Sequence, residues 1–183
     1  DVIITGSETT FQLTTKMYSN NGNGSYTEVT ETPFDTVTES SIGFSDIEND
    51  GDQDVLITGR NSNGQRIAKL YSNDGSGGYT EVTGTPFNGV RLSSIAFADI
   101  DGDNDQDVLI TGENARDQSI AKLYTNDGSG SYTEVTGTPF DGVRFSSIAF
   151  ADIDGDGDKD VLITGEISSF QNGSSKSIAK LYH

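Results

Sequence analysis

The chain has 183 residues, 22 of them Gly and only 3 Pro, and its 29 Asp plus Glu against 11 Lys plus Arg give a formal charge of −18. It contains no Cys and no Trp, so disulfides, metal thiolates and thiol nucleophiles are all excluded. So negative a chain repels nucleic acid and anionic membranes, and no stretch approaches the roughly 18 consecutive apolar residues of a membrane helix.

Read from its first residue, the chain opens on DVIITG, which recurs as DVLITG at Asp54, Asp107 and Asp160, each 53 residues after the last. YSNNGNGSYTEV from Tyr18 returns as YSNDGSGGYTEV from Tyr71 and YTNDGSGSYTEV from Tyr124, and TPF triplets end at Phe34, Phe87 and Phe140. Self-similarity at a period near 50 residues marks solenoids, propellers and arrays. The chain therefore divides into a partial repeat 1–40, full repeats of about 41–93 and 94–146, and a partial repeat 147–183, about 3.5 repeats in one tandem segment. Its first residue already lies inside a repeat, and the chain reads as a mature piece or a fragment of something longer.

Within a repeat, short strand signals alternate with turn signals. Ser94–Ala98 (SIAFA) places Ile95 and Phe97 on one face and the small Ala96 and Ala98 on the other, the pattern of a strand closely packed on one side. Val108–Thr111 (VLIT) is a continuous apolar run, expected of a strand buried on both faces. Ile120–Tyr124 (IAKLY) alternates again, the turn NDGSG follows, and Tyr132–Thr136 (YTEVT) makes a fourth strand. Nothing has a helical period. Four short antiparallel strands per 53 residues predict an all-β fold built of propeller blades, with a strand sequence of three, four, four and three across the chain.

Between the first and second strands lies an acidic comb, with a carboxylate at every odd position. Its three copies are Asp46, Glu48, Asp50, Asp52 and Asp54, then Asp99, Asp101, Asp103, Asp105 and Asp107, then Asp152, Asp154, Asp156, Asp158 and Asp160. Such crowded like charges repel unless a cation sits among them, and carboxylate oxygen is the hard ligand that Ca2+ prefers. About three calcium sites are expected. EF-hand and dockerin loops share this opening but need an acid at the twelfth position and a helix beyond it. The residues there are Ile57, Ile110 and Ile163, each inside a strand-like run.

DIDGDGDKDVLITG preceded by SSIAFA resembles the FG-GAP/VCBS repeat of integrin-α-type calcium-binding propellers, whose loop reads D-x-D-x-D-G-x-x-D. The resemblance implies that Asp152, Asp154, Asp156 and Asp160 donate side-chain oxygens, with the backbone carbonyl of Asp158 completing the loop and Gly157 supplying a left-handed turn. The middle copy matches with Asp99, Asp101, Asp103 and Asp107 but carries Asn104 at the glycine position. The first has Asp46, Asp50 and Asp54, with the longer Glu48 at the second ligand position.

In a meander the comb shares one end with the NDGSG turns. The other end holds the links from strand two to strand three, which vary: SETTFQLT from Ser7, RNSNGQR from Arg60, ENARDQS from Glu113 and the longer EISSFQNGSSKS from Glu166. Arg60, Arg66, Arg91, Arg116, Arg144 and Lys176 fall in or beside this opposite end, whereas only Lys159 lies in a comb. Loops on a rigid scaffold carry binding function, so this end is the expected face for a protein or glycan ligand, with Phe170 the one aromatic in its longest link. The only His is the terminal His183, so no triad or thiol site is in reach. The expectation is a non-catalytic, calcium-stabilised module of adhesion or protein recognition, extracellular or at a bacterial cell surface, that self-associates or continues into further repeats. Two alternatives are a lectin in which Tyr71, Tyr79, Tyr124 and Tyr132 stack on sugars, and the accessory propeller of a polysaccharide-degrading enzyme.

Overall fold

A computed structural model describes residues 1–9, 12–168 and 175–183. Phe170 lies outside the described residues. Among these there are fourteen strands and no helix. The first meander comprises β1 (Val2–Thr9), β2 (Gln12–Asn20) and β3 (Tyr26–Val29). The second has β4 (Val37–Ser45), β5 (Asp54–Asn61), β6 (Arg66–Asn73) and β7 (Tyr79–Val82). The third has β8 (Val90–Ala98), β9 (Asp107–Asn114), β10 (Ser119–Asn126) and β11 (Tyr132–Glu134). The fourth has β12 (Arg144–Ala151), β13 (Asp160–Ser168) and β14 (Ser175–Tyr182).

Every pairing between consecutive strands of a meander is antiparallel, as connections of a few residues require. The four meanders form three sheets rather than four, because one residue pair, Ile67 with Val90, stitches the second to the third. An isolated bridge from Ile120 to Val143 repeats that stitch one joint later. No ladder among the described residues joins the first meander to the fourth, so the sheets do not close into a ring.

The first strand of each full meander is longer than its apolar signal. β8 starts at Val90 rather than Ser94, and its register with β9 shifts between Arg91 and Ser94. Equivalent shifts fall between Thr38 and Ser41 and between Arg144 and Ser147. At each bulge a non-glycine residue is left-handed: Glu39 at φ 53°, Leu92 at 51° and Phe145 at 48°. The bulge turns Ser40, Ser93 and Ser146 toward the preceding meander, where their hydroxyls share hydrogen bonds with Thr5 (2.8 Å), Thr58 (2.8 Å) and Thr111 (2.7 Å). A repeated contact of this kind is what offsets repeated backbone strain.

The core lies between neighbouring meanders. Ile3, Met17 and Phe34 pack against Val37, Val55, Ile57 and Tyr71 at the first joint. Ile47, Leu56 and Leu70 meet Val90, Val108, Ile110, Tyr124 and Tyr132 at the second, and Leu109 and Leu123 meet Val143, Val161 and Ile163 at the third. The second strands of the two inner meanders, β5 and β9, are buried on both faces, as the VLIT run requires: Val108, Leu109, Ile110 and Thr111 are all buried. The TPF phenylalanines lie edge-on to the strand-three tyrosines, with ring centroids 5.0 Å apart for Phe34–Tyr71, Phe87–Tyr124 and Phe140–Tyr182. The small residues of the first strand have a matching purpose. A Cβ on Gly43 would lie 2.7 Å from Ile95 and 2.9 Å from Phe97 of the next meander. Among the described residues each core cluster thus joins neighbouring meanders, the energetic pattern of a repeat protein.

Candidate functional site

Each comb connects the first strand of its meander to the second and is shaped by its own carboxylates. Asp152 accepts from the backbone N–H groups of Gly155 (2.7 Å) and Gly157 (3.1 Å), and Asp99 does the same for Gly102 and Asn104 at 2.8 and 3.1 Å. These turns need left-handed backbone at two places. Gly157 (φ 100°) and Asn104 (φ 70°) occupy the position that the resemblance singles out, and Gly155 (φ 82°) and Gly102 (φ 81°) a second one that it did not. In the first comb Asn49 (φ 57°) and Gly51 (φ 94°) exchange the residue types, which works because Asn tolerates this region better than other non-glycine residues.

Three carboxylates come together in the second comb, Asp99, Asp101 and Asp103, and three in the third, Asp152, Asp154 and Asp156. In each group one oxygen per residue lies within 4.8 Å of the others. Oxygens on a sphere of about 2.4 Å radius, the usual Ca2+–O distance, can be no farther apart than about 4.8 Å, so both groups have donor type and spacing that suit one such ion. Asp46, Glu48 and Asp50 of the first comb form no such group among the described residues. Glu48 instead leans toward the Ser72 hydroxyl at 3.4 Å, where burial and then the Asp54 charge push its carboxyl up from the ordinary range.

The seventh and ninth positions have packing and hydrogen-bond contacts of their own. Asp52 and Asp105 lie beside the NDGSG turns: a Cβ on Gly75 would stand 2.4 Å from Asp52, and one on Gly128 2.6 Å from Asp105. Asp158, their counterpart, donates its backbone N–H to Asp156 at 3.0 Å. Asp54, Asp107 and Asp160 are buried, and each spends one oxygen on the backbone N–H of Ile47, Ile100 or Ile153 at 2.8–2.9 Å. The other oxygen of Asp54 and Asp107 receives the N–H of Asn73 (2.8 Å) and Asn126 (2.9 Å), and that of Asp160 pairs with His183 Nδ1 at 2.9 Å. The ninth carboxylate is thus a staple tying the comb to strand three. Burial raises the pKa of Asp54 and Asp107 above the usual carboxylate range.

Two contacts across the second joint were hidden in the sequence. Asn126 Nδ2 donates to the carbonyl of Ile47 at 2.8 Å, and Asn49 Nδ2 donates to Asp105 at 2.7 Å. The Asn20, Asn73, Asn126 register was the available signal for the first of these; Asn49 has no counterpart at 102 or 155, which are Gly. The tyrosines weighed as sugar platforms are packing residues: Tyr71 and Tyr124 are fully buried, Tyr132 is 8% exposed, and Tyr79 tilts against Phe34.

At the opposite end the arginines are largely spoken for. Glu113, only 2% exposed, receives Arg66 at 2.9 Å, Arg91 at 2.7 Å and Arg144 at 2.6 Å. Arg91 also reaches Glu39 at 3.1 Å, Arg144 reaches Glu166 at 2.9 Å, and Arg66 pairs with Asp117. Burial alone would raise the Glu113 pKa, but Arg144 and Arg91 hold it below the ordinary value. The three arginines come from three meanders, so this ion-pair cluster joins the second, third and fourth.

The sequence model of the FG-GAP-like repeat family matches residues 46–110 and again residues 99–163. No curated protein and no solved structure gives a match.

Proposed function

The chain belongs to the FG-GAP-like repeat family, and from that premise we propose that it is a calcium-stabilised, β-propeller-like recognition module, extracellular and without catalytic activity, that presents its opposite end to a protein partner. The observation that carries the calcium reading is the pair of three-carboxylate groups in the second and third combs, whose oxygen spacing suits one hard cation each. Asp99, Asp101 and Asp103 would hold one ion and Asp152, Asp154 and Asp156 the other, and a bound ion would supply the positive charge that these loops lack. Extracellular modules bind calcium with dissociation constants of roughly 10⁻⁴ to 10⁻³ M, which suits a protein outside the cell.

The recognition reading is supported by the division of labour between the ends. The combs repeat almost unchanged, whereas the strand-two-to-three links differ from one meander to the next on a scaffold fixed by the Glu113 cluster. The non-catalytic reading is supported by the chemistry at hand: the single His is engaged with Asp160, and there is no Cys. The outer faces favour continuation into further repeats or a second copy. Ile4 is 52% exposed where its counterparts Ile57 and Ile110 are 1% exposed, and Leu162 and Leu181 are 40% and 41% exposed where Leu56 and Leu70 are fully buried.

Thermal unfolding with calcium and with EGTA, alongside calcium calorimetry, tests the module reading. At a hundredfold excess over the dissociation constant, each site adds about 2.7 kcal/mol, and Asp154→Ala removes one site while leaving the other. An unchanged melting temperature and no heat of binding would overturn it.

A further inference from the structure

The strand-three lysines Lys69, Lys122 and Lys180 occupy one repeat position, and so do Asp35, Asn88 and Asp141 in the preceding links. In the second meander Lys69 pairs with Asp35 at 3.0 Å and with Glu81 at 2.9 Å. In the fourth, Lys180 pairs with Asp141. In the third, the place of the aspartate is taken by Asn88, and among the described residues Lys122 pairs only with Glu134, at 2.8 Å. The surrounding geometry is unchanged. Tyr124 donates its hydroxyl to Asn88 Oδ1 at 3.3 Å and accepts the Asn88 N–H at 3.2 Å, as Tyr182 does for the Asp141 carboxylate (3.4 Å) and N–H (3.1 Å).

This same place opens into a cleft of about 420 Å³ at the end opposite the combs, lined by Arg66, Asn88, Arg116, Gln118 and Lys122. Two of these are cations that the first joint lacks: Arg66 corresponds to Leu13 and Arg116 to Asn63. Arg66 is held by Glu113 and Asp117, but the exposed Arg116 guanidinium has no carboxylate partner among the described residues. Relative to the first joint, the second replaces Asp35 with Asn88 and adds the unpaired Arg116, while Arg66 comes with its own acids, Glu113 and Asp117, in the places of Arg60 and Gly64. Its spare groups are donors: the Arg116 guanidinium, the remaining Lys122 protons, and the amide N–H groups of Asn88 and Gln118. Donors in excess of acceptors, two of them cationic, favour an anionic oxygen ligand, and charge-assisted bonds of this kind are the strong ones.

We propose that this cleft binds the side-chain carboxylate of an acidic peptide segment of a partner protein, seated against Lys122 beside Asn88 and supplying the charge that Asp35 and Asp141 supply in the flanking meanders. A loop aspartate is the group that fills the place twice in this molecule, which favours a peptide carboxylate over a uronate sugar. The proposal rests on the reading of this end as the recognition face.

The test titrates a short acetylated peptide bearing one Asp, its Asn counterpart and free galacturonate into the whole chain by calorimetry, each in calcium. The Asp peptide binds and the Asn peptide binds at least about tenfold more weakly. Asn88→Asp installs the carboxylate of the sibling meanders, so it lowers affinity for the Asp peptide by about tenfold or more without lowering the melting temperature. Arg116→Ala lowers it by less, and added salt weakens binding throughout. Equal binding of the Asn peptide, unchanged binding by Asn88→Asp, or galacturonate binding as tightly as the Asp peptide would overturn the proposal. If no probe binds while calcium still raises the melting temperature, the carboxylate site falls and the calcium-stabilised module stands. If the calcium response is missing as well, both fall.

Discussion

The two ends of the molecule solve the same electrostatic problem in opposite ways. At the comb end carboxylates crowd together with almost no cation from the protein: burial raises the pKa of Glu48, Asp54 and Asp107, and neighbouring acids add to it. At the opposite end Arg144 pulls Glu166 down, Arg66 pulls Asp117 down, and Arg144 with Arg91 overcomes the burial of Glu113. One end is neutralised from within, whereas the other gathers carboxylates that few protein cations balance. The difference teaches that net charge alone says little about where a partner binds; what matters is which carboxylates already have a cation.

The comparison breaks first at Glu113. Replacing this buried acid with Gln leaves three arginines around an uncharged amide, and breaking a buried pair typically costs about 3–5 kcal/mol. Urea denaturation in saturating calcium measures it. Because the folded pKa of Glu113 is depressed, its stabilising contribution is present above the unfolded value of about 4.3 and is lost as pH falls through the folded value. Glu113→Gln therefore flattens that part of the acid limb. A loss below about 1 kcal/mol would mean that the cluster does not hold the meanders together.

The comb end is sharpened by Glu48→Asp. Shortening the arm by one methylene removes its reach to Ser72 and gives the first comb the ligand pattern of the others. Calcium calorimetry should then resolve a third site, strengthened about tenfold over wild type. A stoichiometry that stays at two would place the obstacle elsewhere, with the Asn49–Asp105 strap the leading candidate.

The smallest effect belongs to the joints, which serve both ends. Thr111→Val removes the hydroxyl that meets Ser146 at 2.7 Å while keeping the shape of a fully buried side chain. The expected loss is about 1 kcal/mol, read from the shift in the urea midpoint at constant slope. No loss would make the bulge at Phe145 an uncompensated strain.

Repetition made much of this legible. The strand register, the buried VLIT run and the odd-numbered carboxylates could be read because each recurs every 53 residues and period-2 alternation is a local property. What the sequence hid depends on tertiary placement. The left-handed bulge falls on Glu39, Leu92 and Phe145, residue types that carry no signal for positive φ. Glu113 looked like the start of a variable link, since its arginine partners lie 47, 22 and 31 residues away on three meanders. Nothing local reveals that one oxygen of Asp54 and of Asp107, the ninth comb carboxylates, meets the backbone of strand three.

The hydroxyl clasp between meanders has a consequence at the level of the gene. Thr5–Ser40, Thr58–Ser93 and Thr111–Ser146 each span 35 residues and cross a joint in the same direction, so every full meander offers a Thr to the next and a Ser to the one before. Excising one 53-residue unit, for instance residues 54–106, joins Gln53 to Asp107 and leaves Thr5 with Ser40 and Thr111 with Ser146. Unequal crossing-over between copies can therefore lengthen or shorten the array in whole units while keeping this clasp at every joint.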